Sequence, residues 1–568
     1  IAFSTDALGS VFSSIQPVIK NDTKAKVKKT NNFFIFFPFP FLQIYGGRTN
    51  LVNIIHINLF FVKIYIMKTL LKKLILSFVL IFATSMNIGA KVVSYPVPQT
   101  EPLSSDYTVE VNGITIPVYT ASTQHHDKKY SIAYFDFSGT VTITVKSNFQ
   151  LSKLNILPDK YGIRPSVNKN IATFKLDTPC DISFEPDGCN SPLILFSNEL
   201  EKSIPSKDDP NVIYYGPGEH NPKNGLIKLT DNQTLYIAGG AVVNAGIEAT
   251  GDNITICGRG ILDGSDWEHN AGPTDYMINA KHCNNLVMKD IILKGSYYWT
   301  IVPQDCDRVL IDHIRLAGSR VGNDDGVDPC NSSNVTIRNC FFRTDDDSVS
   351  PKGITRAGGE SHSKSVENIT VENCVFWVDF ANVFRMATES SCPAFRNFTA
   401  RNIDVIHFPD RDRVQIFWLH PTGEMSMENL CFENIRINGH KPYNLIKMTP
   451  ALQLVGTRPI EKPRPNNIKT GPGRRGPGSC GYGEFVVVPS SGPYIHNVTF
   501  RNIYTYGTRN SPKAGGTVLL QGIDDKYNIS GVTFENVSYY GEPINALSEK
   551  VQMNDFVKHV QFVGKHIE

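Results

Sequence analysis

The chain contains no C-x-x-C pair, no long amphipathic helical pattern and no marked excess of either charge. The first absence removes the paired-thiolate spacing of zinc modules and dithiol redox sites. The second argues against an α-helical or α/β fold. The third, a net charge of +2 over 568 residues, gives no electrostatic reason for a nucleic-acid or anionic-membrane partner. The eleven cysteines are an odd number. Cys180 and Cys189 flank a short turn and could bridge in an oxidising compartment. The others fall mostly at apolar repeat positions, where cysteine acts as a small buried hydrophobe.

Long apolar runs are confined to the start. FFIFFPFPF and INLFFVKIYI, within residues 1–66, carry no amphipathic period. MKTLLKKLILSFVLIFATSMNIGA, from Met67, has a basic start, an apolar run and a small residue, Ala90, at its end. Those are the parts of a secretory signal peptide. Residues 1–66 are therefore expected to be upstream sequence translated by mistake, with 67–90 an export leader. The mature chain is expected to be exported, with no stable membrane span. A membrane-anchored extension is the alternative.

What the chain does have is glycine, asparagine and phenylalanine, a composition suited to strands joined by tight turns. One phrase recurs as NITICGRGI (253), NLVMKDIIL (285), RVLIDHIRL (308), NVTIRNCFF (334), NITVENCVF (368), NFTARNIDV (397), NLCFENIRI (429), NVTFRNIYT (497) and GVTFENVSY (531). Alternating apolar residues mark a short strand, a central Asn, Asp or Gly marks a turn, and a second strand follows. Successive starts are mostly 23 to 34 residues apart, the spacing of a solenoid. A right-handed parallel β-helix fits best, with equivalent positions stacked ~4.8 Å apart and turn asparagines satisfying one another's amides. The leucine-rich horseshoe lacks its LxxLxL spacing here.

The catalytic candidate, residues 205–568, is this solenoid. Residues 91–204 alternate with period two but lack the phrase, and read as a small antiparallel β-sandwich. The basic, Pro/Gly-rich segment 457–483 reads as a surface loop between coils.

GNDDGVDPCNSSNVTIRNCFFRTDDDSVSPKG, residues 322–353, gathers six aspartates in two bursts. Asp325 and Asp346 are 21 residues apart, each beside a coil phrase. Stacking on adjacent coils would bring their carboxylates within several ångströms. Such proximity raises one carboxyl's pKa and leaves another ionised, as general acid and base work requires. Asp346 and Asp347 are neighbours, so a bend must aim both outward. Calcium binding by Asp324, Asp325 and Asp328 and plain turn capping remain open at this level.

N-D-D-G-V-D (323–328) resembles the N-x-D-G-x-D motif of glycoside hydrolase family 28, the polygalacturonases, and D-D-S (346–348) resembles the family's D-D-C. GRGILDGSDW (258–267) and GSYYWTIVPQDC (295–306) are also similar to family segments. A sandwich, then YYGPGEH, then a β-helix is similar in layout to family 49, the dextranases and isopullulanases. The resemblance implies an all-β, pectin-lyase-like solenoid and an inverting hydrolase acting as a monomer on a polysaccharide or oligosaccharide. Asp346 would be the general acid, with Asp325 and Asp347 handling the water. It implies acid and base groups ~6.5–9.5 Å apart, and no metal or organic cofactor. Asn323, Asp328, Lys352, Arg385 and Trp299 are the candidates for substrate contact. The family's G-H-G and R-I-K motifs are missing: the next coil reads ANVFRMATE (381–389). Galacturonan-type and α-glucan substrates both remain open. The rival readings are a β-helix polysaccharide lyase and a non-catalytic glycan-binding protein. Trp377 and Trp418 read as packing residues before sugar platforms, and His313 and His420 as non-catalytic.

Overall fold

The computed structural model describes residues 89–564 apart from 126–127, 354–363, 388–389, 391, 410–414, 422–424, 439–443, 449–493 and 507–516, together with residues 68 and 70. Segment 1–66, nearly all of 67–90 and the loop 457–483 thus lie outside the described residues. The chain divides at residues 87 and 88, and every strand among the described residues lies in 88–568.

Two sheets form between Lys91 and Glu199. One holds Lys91–Val93, Val118–Ser122, Lys129–Ser138, Asn155–Leu157, Asp181–Glu185 and Leu193–Glu199; the other holds Tyr107–Val111, Ile114–Ile116, Val141–Ser147, Ser166–Asn168 and Ile171–Leu176. Lys129–Ser138, sequence KYSIAYFDFS, is buried along nearly its whole length. Both of its faces are covered. Ala133, Phe135 and Phe137 share a core with Val109, Val145 and Ile182, whereas Tyr130, Ile132 and Tyr134 pack on the solenoid wall at Val242, Ile261 and Ile292. One pairing departs from the antiparallel expectation: Leu193–Glu199 runs parallel to Lys129–Ser138. A strand buried on both sides commonly has such a partner.

Buried ion pairs fix the sandwich to the solenoid. Arg315 Nε lies 3.0 Å from Asp181, and Arg259 Nε 3.1 Å from Asp136. Removing one partner of such a pair costs about 3–5 kcal/mol, because a charge is left buried alone. The possible Cys180–Cys189 bridge does not form; both thiols are free. Cys180 sits in the sandwich core while Cys189 packs against the wall cluster, so the two belong to different layers.

The solenoid runs from Val212–Tyr215 to Val557–Val563, almost entirely in parallel register. It is the parallel β-helix that the repeat anticipates. Val335, Ile369, Phe398, Leu430, Val498, Val532 and Val560 are register partners in turn. Phe432, Phe500, Phe534 and Phe562 stack with centroids 5.1 to 5.5 Å apart. Cys257, Cys283, Cys306, Cys330, Cys340, Cys374 and Cys392 are buried, as their apolar positions suggest.

Each phrase carries two left-handed turns where the sequence suggested one. Its first residue has positive φ throughout: Asn253, Asn285, Arg308, Asn334, Asn368, Asn397, Asn429, Asn497 and Gly531. So does the sixth, as in Asn339, Asn373, Asn402, Asn434, Asn502 and Asn536. Asparagine tolerates this conformation better than other non-glycine residues. Its amide then bonds the coil below, as in Asn397 to Asn368 at 2.9 Å and Asn502 to Asn434 at 2.9 Å.

Candidate active site

Cross-coil pairing places the aspartates. Val327 pairs with Val349, Val349 with Phe384, and Phe384 with Phe417. Two residues before each stand Asp325, Asp347, Asn382 and Gln415, which therefore form one column across four coils. The backbone confirms the register: Gly326 N–H donates to Asp347 O at 2.9 Å, and Ser348 N–H to Asn382 O at 3.0 Å. Coils approach so closely that a Cβ on Gly326 would lie 2.4 Å from Ser348 O. The glycine of NDDGVD is thus a condition of the stack.

The chain bends at Asp345 and Asp346, so three consecutive carboxylates take three directions. Asp345 meets His125 Nε2, from the sandwich side. Asp346 accepts Asn323 Nδ2–H at 3.0 Å. Asp347 Oδ1 accepts Asn382 N–H at 3.1 Å and Nδ2–H at 2.7 Å, and its Oδ2 faces Arg385 Nη1 at 3.5 Å. Asp325, Asp346 and Asp347 each present an oxygen within 4.8 Å of the others. The bend resolves the geometric problem of adjacent aspartates sharing one site.

These separations are tighter than the ~6.5–9.5 Å expected between an acid and a water-activating base. Three carboxylates this close cannot all ionise freely, and their protons belong to the cluster. Burial, then Asp347 beside it, pushes the Asp346 carboxyl up to about 7. Burial also raises Asp325 well above the carboxylate range, with Asp328 and Asp346 adding to it. Near neutrality the site thus holds a proton on the half-buried Asp346, which is what a general acid needs.

Lys352 is buried beneath the carboxylates, Nζ 3.0 Å from Asp328 Oδ2 and 3.5 Å from Asp325 Oδ2. It also lies 3.5 Å from the Trp299 ring centroid. Trp299 is itself buried and stacked on Tyr276 at 5.2 Å and Tyr298 at 5.6 Å. Burial raises Asp328 to about 6 against the pull of Lys352. The structure therefore places Asp328, Lys352 and Trp299 as a buried support, whereas Asn323 is exposed and Arg385 half-buried beside the carboxylates. Asp324 accepts backbone N–H groups from Ser319, Arg320 and Asp345. It is not grouped with Asp325 and Asp328 as a calcium loop would require. Among the described residues the one three-ligand cluster is Asp325, Asp346 and Asp347, and hard-cation chemistry would fall there if anywhere.

Sequence reasoning missed Asn382 and Lys447. Asn382 stands two residues before Phe384, so the stacking register was the signal that identifies it. Arg385, Trp418 and Lys447 are register partners on successive coils. The Trp418 ring has Arg385 at 4.7 Å and Lys447 at 4.7 Å, with His420 stacked at 5.0 Å. Burial, then Arg385 and Lys447, holds His420 down at about 4, so its ring is neutral. Trp377, by contrast, is fully buried, and His313 Nδ1 lies 3.2 Å from Asp290.

Residues 227–376 match the model of Glycosyl hydrolases family 28, the segment that holds all three aspartates. The chain is 26% identical over 174 residues to a "Probable polygalacturonase" of Arabidopsis thaliana, covering 27% of this chain and 34% of that one. It is also 26% identical over 148 residues to a "Probable polygalacturonase" of Vitis vinifera, covering 25% and 30%. The chain thus spans about a third of the length of these curated relatives. Among solved structures, Dex49A from Penicillium minioluteum superposes with a TM-score of 0.53 at 13% identity, over 83% of this chain and 96% of that one. That likeness establishes the fold. The resemblance read from NDDGVD and DDS is thereby met in sequence and in architecture.

Proposed function

We propose that this chain is a glycoside hydrolase that cleaves an acidic, galacturonan-type polysaccharide or its oligosaccharides by inversion. The observation that carries this reading is the convergence of Asp325, Asp346 and Asp347 within 4.8 Å of one another at one column of the solenoid. Protonated Asp346 donates to the leaving glycosidic oxygen. Asp347, oriented by Asn382, takes the proton of the attacking water, with Asp325 beside it helping to position that water. The Arg385–Trp418–Lys447 column supports the acidic substrate: two cations sit against one indole ring, and their charges suit a uronate carboxylate. The cation column replaces the missing R-I-K motif in role. The leader-like start at Met67 supports an exported protein; among the described residues no helix is long and apolar enough to cross a membrane.

Release of reducing ends from polygalacturonate, dextran and pullulan tests the proposal. Release from polygalacturonate that is lost in Asp346→Asn supports it. No release from any polymer, or release accompanied by an unsaturated product, refutes it. The anomer formed first, followed by proton NMR, tests inversion against the tight carboxylate spacing.

A further inference from the structure

A second cluster of reactive side chains lies away from the aspartates, where the sandwich meets the solenoid. Cys189 occupies the turn between Asp181–Glu185 and Leu193–Glu199, half-buried between the exposed Gly188 and Asn190. Its Sγ lies 3.2 Å from His407 Nδ1. The other ring nitrogen, His407 Nε2, lies 2.7 Å from Glu185 Oε1. Glu185 is fully buried, and the Ser183 hydroxyl donates to the same oxygen at 2.6 Å. Its Oε2 has no hydrogen-bond partner among the described residues. A buried carboxylate so sparsely satisfied requires a cation beside it, and His407 is the group in place. The imidazole is held from below by Trp377, with centroids 4.1 Å apart.

We propose that Cys189, His407 and Glu185 form a nucleophilic thiolate site that adds to soft electrophiles of the unsaturated-carbonyl class. Glu185 fixes the imidazole and stabilises its charged form, and the imidazolium in turn stabilises the sulfur anion, the same division of labour as in other cysteine nucleophiles. In the addition, the sulfur forms a bond to the β-carbon and the C=C π pair moves toward the carbonyl. The α-carbon then takes the proton held by His407, so atoms and charge balance without an oxidant.

The surroundings agree in sign. Glu185 and Cys189 hold the His407 imidazole well above its usual range, against its burial. From the solenoid, Arg343 pairs with Asp379 at 2.8 Å and lies over the Tyr130 and Trp377 rings. From the turn itself, Asp187 is engaged by Lys153 at 3.2 Å. Cys180, by contrast, is pushed up to about 12 by burial.

The test is N-ethylmaleimide labelling of the full-length chain, with the Cys189 adduct followed by peptide mass spectrometry and Cys189→Ser identifying the peptide. An ordinary thiol, with pKa ~8.5, loses about 100-fold in rate between pH 7.5 and pH 5.5 because its thiolate fraction falls that much. Cys189 is expected to lose no more than about threefold over the same interval. His407→Gln is expected to restore the steep dependence. A steep profile in the wild-type chain overturns the proposal without relying on any variant folding. So does a flat profile that survives in His407→Gln.

Discussion

Asn382 directs both its backbone N–H and its side-chain N–H at one oxygen of Asp347, at 3.1 and 2.7 Å. Its own Oδ1 accepts Gln415 N–H at 2.9 Å. The side chain thus links Asp347 to the coil above, and the carboxylate's direction depends on it. Asn382→Ala keeps the backbone donor and removes the side-chain one. The lost hydrogen bond to a charged group is worth about 1.5–3 kcal/mol, so turnover is expected to fall about 10- to 100-fold. Equal turnover by variant and wild type would show that Asp347 is held by other means.

Asp346 is the carboxyl whose titration can be read in activity. Its pKa of about 7 predicts a rate that declines as pH rises through that value, since the general acid is then lost. Asp346→Asn is expected to reduce kcat about 10²- to 10⁴-fold and to remove this alkaline limb. An unchanged limb in the variant would assign the titration elsewhere.

The same raised carboxyls affect stability. Asp328 near 6 and Asp346 near 7 both titrate above the ~3.9 of an unfolded aspartate. Protons therefore bind the folded state more tightly. Their contribution is fully present below about 4 and is lost as pH rises through about 6 to 7. The midpoint of thermal unfolding should rise on acidification from pH 7.5 to pH 5. The rise should be smaller in Asp346→Asn. A midpoint that falls over this interval would contradict the cluster's raised pKa values.

Much of this was legible in the sequence, for identifiable reasons. Cross-coil ladders select apolar residues at fixed phrase positions, so the solenoid shows as a repeat in NVTIRNCFF and NITVENCVF. Asp325 and Asp346 were recognisable because they stand beside such phrases. Lys352 was harder to place. A lysine six residues beyond Asp346 looks like a groove residue, and only burial against Trp299 and Asp328 makes it a support. Cys189 was misread because sequence proximity to Cys180 suggested a bridge. Its actual neighbour, His407, is 218 residues away, and nothing local marks that pairing.

Lys352 follows from that burial. Its ammonium is the nearest cation to Asp325 and Asp328, both buried. Lys352→Met keeps the stem packed on Trp299 and removes the charge. The fold is expected to lose about 3–5 kcal/mol, because two carboxyls lose their counterion. Chemical unfolding measures this, and a change below about 1 kcal/mol would show that the Lys352 charge does not support these carboxyls.

Lys447 separates binding from chemistry. Arg385 lies 3.5 Å from Asp347, so replacing it perturbs both the carboxylate and the substrate. Lys447 instead packs on the far side of the Trp418 ring, one coil removed. A charge-assisted contact from Lys447 to a sugar carboxylate is worth about 1.5–3 kcal/mol. Lys447→Gln is therefore expected to raise KM for polygalacturonate about 10- to 100-fold while kcat is kept, the pattern of lost uniform binding. Arg385→Gln is expected to lower kcat as well. Added salt should raise KM in the wild type more than in Lys447→Gln, since screening weakens the same attraction. If KM for the acidic polymer is unchanged in Lys447→Gln, the cation column does not read the sugar's charge and a neutral glucan becomes the better substrate candidate.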